Sequence, residues 1–282
     1  MSVRKAKKRR SRLPLAAAAV ALALAAILAD SRWRLELEDY ELVSGHLPAG
    51  FDGFRIVQIS DLHGAEFGKN NRRLVEAVRG AKPELIALTG DLISEKEEIP
   101  VVAALCEQLT SIAPCYFVSG NHDAGSRALR ELRAALESVG VKYLANEYLP
   151  LERGGDRIVI CGVEDPIAWA TMPDPNKVVA SLRAEYPDDY VLFLGHRNDF
   201  AEKYPLLDVD LILSGHNHGG VVRLPFAGGI FGNNGELFPE YDGGLYHTYC
   251  YDLVISRGLV GAGPIPRFLN PPHIPVITLK CK

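Results

Sequence analysis

Short apolar runs, each followed by a polar segment that often contains glycine, repeat along most of this chain. The runs are Phe54–Ile59, Glu84–Thr89, Cys115–Ser119, Arg157–Val163, Tyr190–Leu194, Val209–Leu213, Tyr249–Ser256 and Pro275–Leu279. They are rich in Val, Ile, Phe and Tyr, which favour β-strands. Ahead of them, Trp33, Leu35 and Leu37 alternate with charged residues, and this period predicts a half-buried strand.

Helical periodicity separates several of these strands. The clearest helix is predicted from Ser126 to Val139, with Ser126 as its N-cap and Gly140 as its C-terminal stop. A second is predicted over Pro175–Glu185, with proline in its first turn. Strands that alternate with helices predict an α/β fold whose ligand sites lie in the loops at the strand ends.

An uncharged run from Leu13 to Ala29 precedes this folded pattern. It is short but long enough to span a bilayer as a helix. Seven basic residues stand before it: Arg4, Lys5, Lys7, Lys8, Arg9, Arg10 and Arg12. We predict a basic cytoplasmic segment (residues 1–12), a transmembrane signal-anchor (13–29) and one extracytoplasmic catalytic domain (30–282). A signal peptide and a buried alanine-rich helix are the alternative interpretations of the apolar run.

The charge of the body argues against a nucleic-acid partner. The whole chain carries a net charge of −4, but without the seven N-terminal basic residues 24 basic residues face 35 acidic ones, a net −11. A nucleic-acid-binding protein needs a basic surface to neutralise phosphates. We therefore expect no nucleic-acid partner.

Five short blocks that follow predicted strands carry side chains able to bind metals. They read Asp61-Leu62-His63, Gly90-Asp91, Gly120-Asn121-His122-Asp123, Gly195-His196 and Gly215-His216-Asn217-His218. A single histidine or Gly-Asp pair at a strand end is usually a hydrogen-bonded residue or a turn. All five together, each after an apolar strand, indicate a site where imidazole and carboxylate ligands hold manganese, iron or zinc.

The five blocks resemble the signature of the calcineurin-like metallophosphoesterases over roughly residues 54–280. The glycine-rich continuation after His218, the segment Arg223-Leu224-Pro225 and the later Ser256-Arg257-Gly258-Leu259 are similar to a bacterial, membrane-anchored subgroup. The resemblance implies a four-layer α/β/β/α sandwich of two mixed sheets. It also implies two divalent metal ions, with manganese expected first and iron or zinc as alternatives.

The resemblance assigns a role to each block. Asp61, His63 and His218 would hold one ion, Asn121, His196 and His216 the other, and Asp91 would bridge them. A hydroxide between the ions would attack the phosphorus. His122 would stabilise the phosphoryl group or protonate the leaving oxygen.

Three neighbouring residues complete the predicted site. Asp123 would orient the ring of His122 or, alternatively, serve as a carboxylate at a helix N-terminus. Arg197 and Arg223 are expected to contact the substrate phosphate. Two features depart from the family pattern: Leu92-Ile93-Ser94 follows Asp91 without the tyrosine of purple acid phosphatases, and His196 lacks the proline that often follows two places later.

These residues predict a phosphoesterase that cleaves a phosphodiester or pyrophosphate bond in a lipid-linked or cell-envelope compound of the bacterial inner membrane. One alternative is a pyrophosphatase of a UDP-diacylglucosamine-type lipid precursor, although such nucleotide-linked compounds are cytoplasmic. A non-catalytic metal-binding scaffold is the other, although every ligand position is filled. The stretch Phe226–Tyr251 is expected to be a substrate-covering loop or a long hairpin.

Overall fold

The computed structural model describes residues 13–168, 174–233, 235–261 and 263–282. The predicted basic segment, residues 1–12, lies outside this range. Two six-stranded mixed sheets form the centre of the described chain. Every predicted strand from Phe54 onward corresponds to a strand of one of these sheets, with shifts of a few residues at the ends.

The first sheet has the order β1-β14-β2-β3-β4-β5. Its strands are β1 (Glu36–Ser44), β2 (Arg55–Ile59), β3 (Leu85–Thr89), β4 (Cys115–Val118), β5 (Lys142–Tyr143) and β14 (His273–Cys281). Strands β2 to β5 run parallel, and β14 is antiparallel to β2 while it pairs in parallel with β1. The loops after β2, β3 and β4 therefore leave the same edge of this sheet.

The second sheet has the order β12-β13-β9-β8-β7-β6. Its strands are β6 (Glu147–Arg153), β7 (Asp156–Gly162), β8 (Val191–Leu194), β9 (Leu211–Ser214), β12 (Gly244–His247) and β13 (Asp252–Ile255). Strands β7, β8, β9 and β13 are parallel. A small antiparallel pair, β10 (Arg223–Leu224) and β11 (Gly228–Gly229), lies apart from both sheets.

Helices cover the outer face of each sheet. The helices of the described residues are α1 (Leu13–Trp33), α2 (Arg72–Ala81), α3 (Ile99–Thr110), α4 (Asn121–Gly125), α5 (Leu129–Ser138), α6 (Pro175–Glu185) and α7 (Phe200–Lys203), of which α2, α3, α5, α6 and α7 pack on the sheets. One buried cluster joins α2, α3 and α5 to the first sheet, a second lies between the sheets, and a third joins α6 and α7 to the second sheet. This is the predicted four-layer α/β/β/α sandwich.

The N-terminal helix is longer than the predicted anchor. It continues past Ala29 to Trp33, so the strand predicted to begin at Trp33 begins instead at Glu36. Within the described residues it is the one helix long and apolar enough to cross a bilayer, and only 6% of its apolar stretch is buried. The alternative of a buried alanine-rich helix is therefore wrong.

The helix predicted over Ser126–Val139 is shorter than expected: it is α5 (Leu129–Ser138), and α4 ends just before the predicted start. Ser126 ends α4, and its hydroxyl accepts a hydrogen bond from the Ala128 N–H, so it does not cap α5. The predicted stop at Gly140 is confirmed, because Gly140 takes a φ of 89° while Val141 N–H bonds back to Leu136. Such a left-handed residue is a common end of an α-helix.

The predicted strand Tyr249–Ser256 is also shorter than expected. Tyr249 lies in the turn of a hairpin between β12 and β13, and Thr248 N–H bonds the Tyr251 carbonyl across this turn. The end of the stretch Phe226–Tyr251 therefore consists of strand β12 and the hairpin turn after it. The beginning of the stretch is a loop that follows β10 and includes β11.

Candidate metal centre

The five blocks meet where the carboxyl ends of the two sheets face each other. Each directly follows a buried strand: β2, β3 and β4 in the first sheet, β8 and β9 in the second. The metal-capable residues form two overlapping groups that share Asp91. The structure thus brings together residues that lie up to 157 positions apart in the sequence, from Asp61 to His218.

The first group consists of Asp61, His63, Asp91 and His218. One potential ligand atom of each lies within 4.8 Å of those of the others. His218 Nε2 is 3.5 Å from Asp61 Oδ1, and His63 Nε2 is 3.9 Å from Asp91 Oδ2. Two carboxylates and two imidazoles, all buried or nearly so, form a nitrogen and oxygen ligand set typical of first-row divalent metals.

The second group consists of Asp91, His196 and His216, to which Asn121 adds its amide. His196 Nε2 lies 3.2 Å from Asp91 Oδ2, 3.2 Å from His216 Nδ1 and 3.1 Å from Asn121 Oδ1. Four potential ligands therefore surround one point. All seven residues that the sequence predicts as ligands converge at this centre.

Hydrogen bonds to the far ring nitrogens fix the direction of three histidines. His196 Nδ1 bonds the Thr89 carbonyl at 2.8 Å, and His218 Nδ1 bonds the Val260 carbonyl at 2.7 Å. His63 Nδ1 bonds the Ser94 hydroxyl at 2.8 Å. In each ring the bonded nitrogen is Nδ1, so Nε2 points into the cluster, which is how metal-binding histidines are usually held.

The backbone at this centre is strained at five of the seven predicted ligands. Asp61, His63, Asp91, His216 and His218 have positive φ angles between 46° and 73°. This left-handed region is unfavourable for residues other than glycine and costs roughly 1–3 kcal/mol each. Such a concentration of strain in a buried cluster is typical of a functional site.

Burial and the charge of Asp91 set the protonation of the histidines. Burial lowers the pKa of His63 to about 4 and that of His216 to about 2, so both rings are neutral at pH 7. Burial acts on His196 in the same direction, but the nearby Asp91 carboxylate outweighs it and raises the pKa of His196 to about 10. In turn His196 holds the pKa of Asp91 well below its ordinary value.

The residues fit two divalent ions. Within the described residues, the buried His63 Nε2 has no hydrogen-bond partner, and the buried Asp91 Oδ2 has none apart from its ion pair with His196. Buried polar atoms normally have one, and both atoms point into the cluster. A cation at this place would neutralise Asp91 and favour the neutral His196 ring, which can then bind the ion.

His122 lies at the rim of the cluster, where its side chain is exposed. Its ring meets that of His63 edge-on, with 4.8 Å between the ring centroids. Its backbone N–H donates to Asp91 Oδ1 at 2.7 Å. The peptide of His122 therefore orients the shared carboxylate, and the ring remains free to approach a substrate.

The contacts of Asp123 support the helix-terminal role and not the orientation of His122. Its buried carboxylate accepts hydrogen bonds from the backbone N–H groups of Asp91, Ile93 and Gly120 at 2.7–3.0 Å. No hydrogen bond joins it to the His122 ring, and both residues are described. Asp123 instead fastens the loop that carries Asp91 to the first turn of α4.

Arg197 lies beside the second group of ligands. Its guanidinium makes two hydrogen bonds to the buried Asp165 carboxylate at 2.7 and 3.1 Å, and its Nη1 is 3.5 Å from His216 Nε2. Sequence reasoning missed Asp165, although it follows strand β7 as the other site residues follow theirs. It also missed Ser94, for which the sequence carries no signal apart from its place three residues after Asp91.

Arg223 is placed differently from Arg197. Its Nη1 lies 3.1 Å from the Gly219 carbonyl and 3.1 Å from the Asp242 carboxylate. Asp242 also accepts a hydrogen bond from the Gly229 N–H, so this pair closes the loop after β10. These contacts give Arg223 a structural role, and its contact with a substrate phosphate stays a prediction.

Similarity to known proteins agrees with this geometry. Residues 54–220 match the family model of the calcineurin-like phosphoesterases. The chain is 31% identical to the uncharacterized metallophosphoesterase YkuE of Bacillus subtilis over 254 residues, which cover 87% of this chain and 86% of that protein. It is 27% identical to a metallophosphoesterase of Aquifex aeolicus, covering 88% of this chain and 93% of the other.

One further relative and one solved structure extend the comparison. A zebrafish (Danio rerio) transmembrane protein with a metallophosphoesterase domain is 28% identical over 64% of this chain, and the match covers 44% of the zebrafish protein. Among solved structures, the sulfate thiohydrolase SoxB of Thermus thermophilus matches with a TM-score of 0.50 at 15% identity, covering 83% of this chain and 57% of that one. The second match bears on the fold alone.

Replacing Gly120 by alanine should disrupt this centre. A Cβ at Gly120 would lie 2.8 Å from Asp91 Cγ and closer still to Asp91 Oδ1 and the Asp91 nitrogen. Because the shared carboxylate must then move, we expect Gly120→Ala to weaken metal binding or activity about 10- to 100-fold, as for other residues that orient ligands. Metal content measured by mass spectrometry after manganese reconstitution checks this.

The matched control is Gly125→Ala, at the last residue of the short helix α4 that Gly120 directly precedes. A Cβ there would meet no atom within 4 Å, so the full metal content should be retained. If both variants bind metal like the parent protein, the close contact between Gly120 and Asp91 does not position the shared ligand.

Proposed function

This chain belongs to the calcineurin-like phosphoesterase family, and from that premise we propose that it cleaves a phosphodiester or pyrophosphate bond in a lipid-linked or cell-envelope substrate. The observation that carries the proposal is the pair of ligand groups that share Asp91, with His122 exposed beside them. The family membership makes the chain a metal-dependent phosphoester hydrolase, and the substrate class is our inference.

We assign the seven convergent residues to two metal ions. Asp61, His63 and His218 would hold one ion, Asn121, His196 and His216 the other, and Asp91 would contact both. Two divalent ions in such a site lower the pKa of a water between them and stabilise the attacking and leaving oxygens of an in-line displacement. Because the ligand set contains no thiolate, we expect manganese first and iron or zinc as alternatives.

The protein's own groups would position the substrate. Arg197 is oriented by the buried Asp165 and is only partly exposed, so the Nη1 group of its guanidinium can donate to a phosphate oxygen next to His216. His122 stands on the opposite side of the cluster, against His63. From there its ring can donate a proton to the leaving oxygen.

The membrane part of the proposal rests on α1. An exposed apolar helix at the N-terminus would hold the metal centre close to a bilayer, where lipid-linked phosphoesters are concentrated. We propose that the chain is a single-pass protein of the bacterial inner membrane with an extracytoplasmic catalytic domain. Its negative body supports the expectation that nucleic acids are not substrates.

The proposed reaction is tested on the full-length protein in detergent, stripped with a chelator and reloaded with manganese, iron or zinc. Bis(4-nitrophenyl) phosphate, 4-nitrophenyl phosphate, a lipid pyrophosphate and glycerophospholipids are offered in turn. We expect hydrolysis of the diester or the pyrophosphate that disappears with the chelator and returns with metal. Hydrolysis of the monoester alone, or of none of the substrates with any metal, would contradict the proposal.

Substitution of His122 by alanine should lower turnover and spare the metals. Because the ring is exposed at the rim and is assigned to no metal, its loss should not release the ions. We expect the rate to fall about 10²- to 10⁴-fold, the range for a positioned acid–base group. Metal content on the same sample should stay at that of the parent protein. A joint loss of metal and activity would make His122 a ligand and overturn its assigned role.

The orientation of the chain in the membrane gives a further prediction. Seven basic residues precede α1, whereas Arg32 and Arg34 at its other end stand among Asp30, Glu36 and Glu38. This asymmetry should keep the N-terminus cytoplasmic. A β-lactamase fused after Lys282 should therefore make growing cells resistant to a β-lactam antibiotic. A green fluorescent protein fused at the same position should be exported unfolded and remain non-fluorescent. The reverse result would favour the nucleotide-linked lipid precursor as substrate.

A further inference from the structure

A groove lies between the end of α1 and the loops of the metal centre. Its volume is about 530 Å³, within the range of small-molecule binding sites. Three segments form its walls: the last turns of α1 (residues 28–33), the loop after His63 (residues 65–67) and a later loop (residues 259–261 and 263–267). Leu28, Trp33, Phe67, Val260 and Ile265 give it a mostly apolar lining.

The inner walls of the groove are joined directly to predicted metal ligands. Ala65 follows His63 by two residues, and its N–H bonds the Leu62 carbonyl in the same turn. Val260 accepts a hydrogen bond from His218 Nδ1 through its carbonyl, and its N–H donates to the Asp61 carbonyl. One end of the groove is therefore next to the ligands of the first metal position.

The one buried charge in the groove wall is not available to a ligand. Arg267 is 7% exposed, and all five of its N–H groups donate to oxygens of the protein: the carbonyls of Arg257, Val260, Asn270 and Pro271 and the side chain of Asn270. An arginine that is saturated in this way cannot bind a phosphate. The groove therefore suits an apolar group better than an anionic one.

The outer end of the groove lies at the level where α1 would leave the bilayer. Arg32 and Trp33 stand in the last turn of α1, with the guanidinium of Arg32 5.1 Å from the centre of the Trp33 ring. Tryptophan and basic residues are enriched at membrane interfaces. The Trp33 carbonyl accepts a hydrogen bond from Arg73 at 2.8 Å, so the body is held against this end of the helix.

Exposed apolar side chains lie on the groove loop and on a second loop that is bonded to its continuation. Ile265 is 43% exposed in the groove wall and Leu269 is 39% exposed four residues later, while Phe226 and Phe238 are fully or largely exposed on the loop after β10. The two loops are joined by a hydrogen bond from Arg223 N–H to the Phe268 carbonyl. Apolar patches of this kind on a soluble surface mark membrane or protein contacts.

We propose that this groove binds one acyl chain of a membrane phospholipid whose phosphoester reaches the metal centre. This inference rests on the proposed function for the reaction and adds a binding site for the apolar part of the substrate. The membrane helix at one end, the metal ligands at the other and the apolar rim between them favour a lipid from the surrounding bilayer over a soluble ligand or a partner protein.

Photocrosslinking tests the groove without reference to catalysis. The full-length chain, stripped of metal, is reconstituted in vesicles of phosphatidylcholine and phosphatidylglycerol that contain phosphatidylglycerol with a diazirine in one acyl chain. After illumination, peptides are mapped by mass spectrometry. We expect adducts on residues 65–67, and we expect Ile265→Glu to reduce them at least about fivefold, because it places a charge in the apolar groove.

The matched control is Val43→Glu. Val43 is exposed to a similar degree, 57% against 43% for Ile265, but it stands near the end of β1, opposite the metal centre. Its adduct yield on residues 65–67 should equal that of the parent protein. Adducts confined to the apolar part of α1, or an equal yield from both variants, would overturn the proposed groove.

A second measurement separates this inference from the proposed function. With metal restored, the rate on phosphatidylglycerol is divided by the rate on its deacylated glycerophosphodiester. We expect this ratio to fall about tenfold in Ile265→Glu and to stay within about twofold in Val43→Glu, the scale of discrimination by an apolar pocket. If the parent protein hydrolyses neither compound but the adducts map to the groove, the reaction is wrong and the lipid site stands. If it hydrolyses both with an unchanged ratio in Ile265→Glu, the groove is wrong and the reaction stands.

Discussion

The close contact between the ends of β3 and β4 is the constraint on which the metal centre depends. Gly90 and Gly120 lie so near each other that a side chain on either would collide with the other strand's loop. This approach lets the Asp91 carboxylate reach the His122 N–H while Asp123 holds the Asp91 N–H from the other side. Asp91 belongs to both groups of ligands, so its position fixes the distance between them.

The sandwich around this contact explains why the centre tolerates both a strained backbone and buried negative charge. Five left-handed residues and two buried carboxylates would each destabilise an isolated loop. Here every loop begins at a strand that is buried on both faces, between the helices on one side and the other sheet on the other. The sandwich supplies the stabilisation, and a bound cation would relieve the charge of Asp61 and Asp91 together.

The sequence predicted the strands and the ligand residues of this centre better than the contacts between its side chains. Strand positions followed from β-branched runs, and the blocks after them identified all the residues that converge, because parallel strands must bring their ends to one edge. The end of α1 could not be predicted, since Asp30 and Arg32 are polar residues that α1 still includes. The partner of Arg197 was equally out of reach, because nothing local links it to Asp165, thirty-two residues earlier. The local sequence pattern determines the helices and strands, whereas the pairing of side chains across the cleft depends on the tertiary structure.

Helix α1 is connected to the metal centre by side-chain contacts as well as by the chain that follows it. Ser31 in its last turns accepts a hydrogen bond from the Asn270 N–H, and the Asn270 amide donates to the His218 carbonyl at 2.8 Å. A second connection starts at β1, where Glu36 and Glu38 pair with Arg257, the residue before Gly258. Gly258 packs against the Asp61 side chain so closely that a Cβ there would lie 2.7 Å from Asp61 Cβ. A helix that served only as a tether would need none of these contacts. The orientation of the cleft relative to the end of α1 is therefore part of the folded structure.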